Sequence, residues 1–204
     1  VLDKQSYKLV NSNVFLSAEW RKLAFVNYEI EEQVLQKYLP PHTQLDFFNG
    51  KCFVSLVGFM FLNTKLLGFS IPFHQSFEEV NLRFYVKYND NGIWKRGAVF
   101  IKEIVPKIAI TLVANTLYKE KYQTLPMKHN WFEDSTKLSV SYSWKAQKWH
   151  SFTLNADIEK QQIISGSESE FITEHYWGYT KITNTISSEY EVGHPKWDIY
   201  PITD

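Results

Sequence analysis

The stretch Phe77-Glu78-Glu79-Val80-Asn81-Leu82-Arg83-Phe84-Tyr85-Val86-Lys87 alternates apolar and polar side chains. Successive side chains of a β-strand point to opposite faces, so this alternation predicts a strand with one apolar and one polar face. The apolar face carries Val80, Leu82, Phe84 and Val86. The polar face carries Glu79, Asn81, Arg83, Tyr85 and Lys87. Antiparallel sheets commonly pack one face and expose the other to water, but the alternation alone leaves open whether this polar face meets solvent or lines a polar site.

The rest of the sequence predicts short strands joined by turns. Asn49-Gly50 and the segment 89–92 (Asn-Asp-Asn-Gly) are tight-turn signals between apolar runs, and a third hairpin is predicted around residues 145–148. Helical spacing of apolar residues predicts short helices over 31–39, from Pro106 to near Glu120 and over 167–172, and Ser17 is a candidate cap for another around Trp20. Many hairpins with few short helices indicate a mainly antiparallel β fold closed into a barrel or sandwich.

Length and composition favour one soluble domain over residues 1–204, because the 204 residues contain no Gly/Ser/Pro-rich linker and no internal repeat. Lys+Arg and Asp+Glu balance at 22 each, so the net positive field that drives general nucleic-acid binding is missing. No apolar run approaches the ~20 residues of a membrane span, and nothing resembles a signal peptide. We therefore expect a cytoplasmic protein with neither nucleic acid nor membrane as a partner.

Few residues match a known catalytic or metal-binding pattern. Phosphate-binding and dinucleotide-binding glycine loops and the Gly-x-Ser-x-Gly elbow are absent, and the six histidines lack metal-ligand spacing. We expect no metal and no cofactor. The single cysteine, Cys52, lies in an apolar run and is interpreted as a small buried hydrophobe. Lys128 is a candidate Schiff-base lysine by its neighbourhood, although an exposed lysine is the more common case.

Eight segments, taken in order, resemble the YqjF-like family, bacterial proteins of unknown function related to acetoacetate decarboxylase. The resemblance covers nearly the whole chain from about Trp20. The segments are Trp20–Phe25, Tyr38–Pro41, Leu45–Gly50, Val54–Phe59, Phe77–Val86, Leu125–Met127, Phe171–Tyr176 and His194–Trp197.

This resemblance implies a single-domain antiparallel β-barrel of the acetoacetate decarboxylase type, with a cone-shaped cavity and two or three short flanking helices. In acetoacetate decarboxylase, a cavity lysine forms a Schiff base with a β-keto acid, and a second lysine, an arginine and glutamates complete the site. Carried over by resemblance, the arginine falls on Arg21, one glutamate on Glu79, and the helper lysine on Lys128. The other glutamate falls near Ser55 or Leu56, neither of which is acidic.

The carry-over places Met127 where the decarboxylase has its nucleophilic lysine. A methionine has no ionisable group and forms no imine, so acetoacetate decarboxylation is expected to be absent. The resemblance also favours an inward-facing row of Glu79, Asn81 and Arg83. A buried arginine and glutamate need each other or a charged ligand, and a carboxylate or enolate held by Arg83 or Arg21 is the natural candidate.

Three hypotheses follow for the function. The first is a small-molecule-binding barrel for a small keto or enol acid, with ligand contacts from Arg21, Glu79, Asn81, Arg83, Met127 and Lys128 and no catalytic residue. The second is a lyase-type or hydratase-like enzyme on such acids, with Glu79 as general acid or base and Lys128 or Arg83 as its electrostatic partner. The third is a protein-interaction module whose polar strand face is solvated. Relatives with this fold often assemble, so a homo-oligomer is left open.

Overall fold

The computed structural model describes residues 16–66 and 68–204, and residues 1–15 of the predicted domain lie outside this range. It contains fourteen strands and three short helices in the described ranges. The strands are β1 Leu16–Ile30, β2 Thr43–Leu45, β3 Cys52–Leu66, β4 Phe69–Ser70, β5 Phe77–Asp90, β6 Ile93–Val105, β7 Tyr122–Thr124, β8 Met127–Glu133, β9 Leu138–Lys145, β10 Trp149–Ala156, β11 Gln161–Gln162, β12 Trp177–Lys181, β13 Ser187–Glu191 and β14 Asp198–Ile199. The helices are α1 Glu32–Leu35, α2 Ile108–Val113 and α3 Glu168–Thr173. A 3₁₀ turn, Gln36–Tyr38, continues α1, and a π-helical turn, Ala114–Tyr118, continues α2.

A nine-stranded sheet dominates the fold. Its main path runs β1-β3-β5-β6-β12-β13, with β2 paired to β5, β4 to β3 and β7 to β6. A three-stranded sheet, β10-β9-β8, and a two-stranded sheet, β11-β14, complete the described part. The prediction of a mainly β fold with few short helices is confirmed. The predicted closed barrel is not, because the path of the large sheet ends at β1 and β13 without closing over the residues that are described.

Two of the predicted hairpins are confirmed by the pairing. Asp90 pairs with Ile93 across the β5–β6 turn, and β9 pairs with β10. The turn at Asn49-Gly50 also exists, since Phe48 and Lys51 bridge it. The strands on either side of that turn do not pair with each other, because β2 pairs with β5 while β3 lies between β1 and β5. Local turn chemistry placed the reversal correctly but could not select the partner strands.

The helix predicted around Trp20 is wrong, because this segment belongs to the long strand β1. Strand β1 pairs with β3 along most of its length, with register shifts between Ser17 and Glu19 and between Arg21 and Ala24. Lys22 lies in the second irregularity with a positive φ of 54°. Cross-strand packing therefore overrides the local cap and helical spacing that suggested a helix.

Both faces of β5 are covered by protein. On the apolar face, Val80 packs with Met60 of β3 and with Tyr142 of the three-stranded sheet. Farther along this face, Phe84 and Val86 pack with Leu35 of α1. The opposite face is the polar face, and its Glu79 and Asn81 are each only 2% exposed. The prediction that these two side chains face the interior is confirmed, and the solvated row on which the interaction-module hypothesis rests is wrong.

One bulge sets which side chains of β6 join the polar face. On the side of the bulge nearer the β5–β6 turn, Arg83 pairs with Phe100. On the other side of the bulge, Leu82 pairs with Lys102 and Asn81 pairs with Glu103. One extra residue of β6 is accommodated at this register shift, as a β-bulge requires. Because paired residues share a face, the shift brings Glu103 rather than Lys102 onto the polar face beside Asn81.

None of the described helices has the length and hydrophobicity that a bilayer-spanning segment requires.

The three-stranded sheet packs closely on Gly58 of β3. A Cβ atom at this position would lie 2.5 Å from a ring atom of Tyr142 and 2.8 Å from Phe152. Tyr142 is fully buried, and its hydroxyl donates a hydrogen bond of 2.7 Å to the backbone carbonyl of Lys22. The contact leaves room at position 58 for the hydrogen atom of glycine but not for a Cβ atom.

Replacing Gly58 with alanine is therefore expected to lower the free energy of unfolding by about 1–3 kcal/mol, the usual cost of overpacking. Urea denaturation followed by circular dichroism measures this loss. Ser151→Ala on exposed β10 is the matched control and should stay within about 0.5 kcal/mol of the unchanged protein. Equal stability of the two variants would show that the sheets do not pack on Gly58.

Candidate functional site

Glu79 lies at the centre of a buried hydrogen-bonded group on the polar face. Its Oε1 accepts a hydrogen bond of 2.9 Å from Nδ2 of Asn81, two residues along the same strand. Its Oε2 accepts a hydrogen bond of 2.9 Å from the hydroxyl of Tyr122 on β7. Strand β7 reaches this position because it pairs in parallel with the end of β6, Tyr122 next to Glu103. The carboxyl of Glu79 is thus held in place by two neighbours rather than by water.

Two further carboxyl groups are buried beside it. Glu103 is 2% exposed, and its Oε2 has no hydrogen-bond partner among the described residues. Glu120, which precedes β7, is also buried and accepts a hydrogen bond of 2.5 Å from the hydroxyl of Thr180. We call Glu79, Glu103 and Glu120 the acid cluster.

Burial favours the protonated form of each carboxyl group of the acid cluster. It raises the pKa of Glu79 to about 7, while hydrogen bonds from Asn81 and Tyr122 and the charge of Arg83 oppose the rise. Burial, with the charges of the other two glutamates, raises the pKa of Glu103 well above its ordinary value. Burial likewise raises the pKa of Glu120. A carboxyl group with a pKa near 7 can both donate and accept a proton at physiological pH.

Arg83 follows the acid cluster along the polar face. Its guanidinium lies over the rings of Phe25 and Tyr85, at 5.0 and 5.6 Å from the ring centres. Its Nε is buried with no hydrogen-bond partner, and no carboxylate of residues 16–66 and 68–204 forms a salt bridge with it. The neighbouring hydroxyl of Tyr85 is already bonded to Ser55 at 2.6 Å. Arg83 is half-buried as a residue and therefore presents one buried, unused donor, its Nε.

A second ionisable group, beyond Tyr85, is formed by Asp46, Arg96 and His175. Oδ2 of Asp46 accepts a hydrogen bond of 2.6 Å from Nε of Arg96 and lies 3.3 Å from Nε2 of His175. Burial favours a higher pKa for Asp46, but hydrogen bonds from His175 and Arg96 outweigh it and hold that pKa below the usual range. Burial lowers the pKa of His175 to about 4, against the hydrogen bond with Asp46. The aspartate is charged and the histidine is neutral at pH 7.

The structure does not bring the other predicted contact residues to this face. Arg21 pairs with Met60 while Glu79 pairs with Phe59, so the side chains of Arg21 and Glu79 point to opposite faces of the sheet. Arg21 instead donates a hydrogen bond of 2.7 Å to Glu19.

Met127 and Lys128 lie on β8 of the three-stranded sheet. Met127 packs in the cluster that contains Val80, on the apolar side of β5. Lys128 is exposed, and its Nζ lies 4.8 Å from the centre of the Trp149 ring. Of the six predicted residues, the structure groups Glu79, Asn81 and Arg83 and places Arg21, Met127 and Lys128 elsewhere.

Sequence analysis missed Glu103, Glu120, Tyr122 and the Asp46–His175 pair. Glu103 belongs to a predicted strand, but only the bulge brings it inward, and no residue type marks that bulge. His175 lies inside a segment that carries the family resemblance, Phe171–Tyr176. Its burial and its contact with Asp46 depend on a pairing across 129 residues of sequence, which no local pattern reports. In the described ranges, no three His, Cys, Asp or Glu side chains are grouped so that they could hold a metal ion.

Comparison with known sequences matches most of the chain to one family. The model of the DUF2071 family, described as an uncharacterised conserved protein, matches residues 17–203. The uncharacterised protein YqjF of Bacillus subtilis is 25% identical over 183 residues, which are 87% of this chain and 72% of that protein.

Solved structures with a similar fold are acetoacetate decarboxylase-like. Acetoacetate decarboxylase from Legionella pneumophila has a TM-score of 0.53 at 14% identity, covering 88% of this chain and 64% of its own. An acetoacetate decarboxylase-like enzyme from Sphingomonas wittichii has a TM-score of 0.56 at 12% identity, and the match covers 85% of this chain and 69% of that enzyme. The enduracididine biosynthesis enzyme MppR, solved with pyruvate, has a TM-score of 0.56 at 9% identity, covering 81% and 62%. At these identities the likeness establishes the fold alone, and this chain spans less than two thirds of the Legionella enzyme.

The raised pKa of Glu79 predicts a specific dependence of stability on pH. A carboxyl whose pKa is higher in the folded than in the unfolded chain binds more protons when folded, so stability falls as pH rises between the two pKa values. For Glu79 this window runs from its ordinary 4.5 to about 7. Each such carboxyl contributes a slope of up to about 1.4 kcal/mol per pH unit.

Glu79→Gln should flatten this fall, because glutamine cannot take up the proton, while Glu103 and Glu120 keep part of the slope. Urea denaturation at a series of pH values between about 5 and 8 measures it. Glu159→Gln, in an exposed loop, is the control and should keep the full slope. Parallel stability curves for Glu79→Gln and the unchanged protein would contradict the assignment.

Proposed function

This chain belongs to the DUF2071 family of uncharacterised conserved proteins, and we propose that it binds a small organic acid of the keto or enol type on the polar face of β5. The carboxylate of the ligand contacts Arg83. The keto or enol oxygen of the ligand contacts Glu79 of the acid cluster and its neighbour Asn81. The proposal includes an enclosed, cone-shaped cavity over this face, as the fold family has. Binding occurs without an imine.

The observation that carries the proposal is the unused guanidinium of Arg83. A buried hydrogen-bond donor without a partner costs about 1–3 kcal/mol, so the buried Nε of the half-buried Arg83 favours a compensating ligand. A carboxylate matches the planar donor set of an arginine and forms strong charge-assisted hydrogen bonds with it. The buried Nε of Arg83 and the unpaired Oδ1 of Asn81 are both atoms that such a ligand, or its polar groups, can satisfy.

The fold neighbours support the class of ligand. MppR is solved with pyruvate, and acetoacetate decarboxylase takes its name from a keto acid. Both have the same general fold as this chain, and pyruvate and acetoacetate each carry a carboxylate beside a carbonyl or one carbon removed from it. In this chain the position predicted for the decarboxylase nucleophile holds Met127, and Lys128 points away from Glu79 towards Trp149. This supports binding without Schiff-base chemistry.

A second candidate function is proton transfer on the bound acid, favoured by the pKa of Glu79 near 7. As a carboxylate, Glu79 would take a proton from the carbon next to the carbonyl and leave an enolate, which the charge of Arg83 stabilises. Returning the proton to carbon completes the cycle. Because Lys128 is exposed on β8, we assign the role of electrostatic partner to Arg83.

We expect Arg83→Gln to weaken pyruvate binding about 10- to 100-fold, because a hydrogen bond to a charged group contributes about 1.5–3 kcal/mol. Isothermal titration calorimetry measures the dissociation constant. Lys102→Gln removes a positive charge from an exposed position of β6 and should leave binding unchanged, and so should Arg21→Gln on the opposite face. An effect confined to Arg21→Gln would support the arginine assigned by resemblance instead.

The second candidate predicts that the protein exchanges the methyl protons of pyruvate for deuterium in D₂O. Loss of the methyl signal in proton NMR measures the exchange rate. Glu79→Gln should slow it by about 10²- to 10⁴-fold, the usual contribution of a general base, while Glu159→Gln should not. If the unchanged protein binds pyruvate and gives no exchange above buffer, the protein is a binder and not a catalyst of this step.

A further inference from the structure

His175 is a buried histidine that the proposed contacts do not yet use. Its side chain is 2% exposed and follows α3, which packs over the Tyr85 end of the polar face. Its Nε2 contacts the carboxylate of Asp46, and its Nδ1 is buried with no hydrogen-bond partner in the described part of the chain. A histidine kept only for packing normally has both ring nitrogens satisfied, because an unpaired buried polar atom costs about 1–3 kcal/mol.

The charges around the ring fix its tautomer. Oδ2 of Asp46 also accepts a hydrogen bond from Arg96, and this carboxylate is ionised. A neutral imidazole next to an ionised carboxylate carries its hydrogen on the nitrogen that faces the carboxylate, here Nε2. The other nitrogen, Nδ1, therefore has a free lone pair and can only accept a hydrogen bond.

Nδ1 of His175 and the guanidinium of Arg83 are close to the same ring. The His175 ring lies 4.6 Å from the Tyr85 ring centre, and the Arg83 guanidinium lies 5.6 Å from that centre. An unused acceptor and an unused donor thus both lie beside the ring of Tyr85, whose own hydroxyl is committed to Ser55. A single small molecule with a negative oxygen and a hydroxyl group can satisfy both.

We propose that His175 is a specificity-determining contact of the ligand site, whose Nδ1 accepts a hydrogen bond from a hydroxyl group of a ligand held at its carboxylate by Arg83. The ligand class is thereby narrowed to 2-hydroxy acids and the enol forms of 2-keto acids. This inference rests on the proposed function, because it takes the carboxylate contact with Arg83 as given. Asp46 is a positioning residue, since it acts only through the tautomer of His175.

The test compares three acids of similar size: lactate with a 2-hydroxyl, pyruvate with a 2-carbonyl, and propionate with neither. The unchanged protein should bind lactate about tenfold more tightly than propionate, the equivalent of one neutral hydrogen bond. Titration calorimetry on the full chain gives the three dissociation constants. A lactate-to-propionate ratio near one in the unchanged protein overturns the role of His175, while measurable binding of both leaves the proposed function intact.

Two substitutions distinguish the roles of the two ring nitrogens of His175. His175→Gln places an amide where Nε2 contacts Asp46 but removes the acceptor at Nδ1, so the ratio should fall to about one with propionate binding unchanged. His175→Asn places an oxygen near the Nδ1 position, so it should retain a preference for lactate. His129→Gln is the control, because His129 contacts Glu78 on the other face of the sheet and should leave the ratio unchanged.

Each result decides between the alternatives. A ratio that persists in His175→Gln, or is lost in His175→Asn, overturns the assignment of Nδ1. Equal weakening of all three acids in His175→Gln shows a structural histidine and also overturns it. If none of the three acids binds to the unchanged protein, the proposed function fails, and this inference fails with it.

Discussion

The arrangement of this protein depends on charges that are enclosed between two layers of protein on one face of β5. Ionised side chains are costly to remove from water, and each must be neutralised, hydrogen-bonded or paired. The chain uses all three solutions. Burial raises the pKa of each carboxyl of the acid cluster towards proton uptake, Glu79 is hydrogen-bonded by Asn81 and Tyr122, and Asp46 is paired with Arg96. Arg83 is the exception, because its buried Nε has no hydrogen-bond partner in the described part of the chain.

Arg83 also links two ionisable groups that the sequence separates by long distances. Its positive charge favours ionisation of Glu79 on one side and the neutral form of His175 on the other, although burial is the larger cause at both residues. A carboxylate bound at Arg83 would offset that charge. It would therefore favour the neutral form of Glu79 and the protonated form of His175. Binding of the proposed ligand would therefore be coupled to the protonation of Glu79 through the guanidinium of Arg83.

The faces of strand β5 could be predicted from the sequence, but the side chains that surround its polar face could not. The alternation over residues 77–87 is a local property, and it correctly separated Glu79 and Asn81 from Val80 and Phe84. The β5–β6 hairpin was also predictable from its turn. An unbroken hairpin register would place Lys102 opposite Asn81, and a single extra residue in β6 replaces that lysine with Glu103. No local pattern reports such a bulge. Sequence order alone also could not report that Met127 and Lys128 lie on β8, a strand of a separate sheet that packs on the apolar face.

The irregularity of β1 has a consequence for solubility. This strand is fifteen residues long and lies at one end of the path of the large sheet, where an unbroken edge would offer a template for pairing with another molecule. Its two register shifts divide the ladder with β3 into three short pieces, and Lys22, with its left-handed backbone, lies in the second interruption. Charged side chains at Glu19, Arg21 and Lys22 flank that interruption. The distortion therefore protects the protein against edge-to-edge aggregation while the long strand still supports the interior face that carries Phe25.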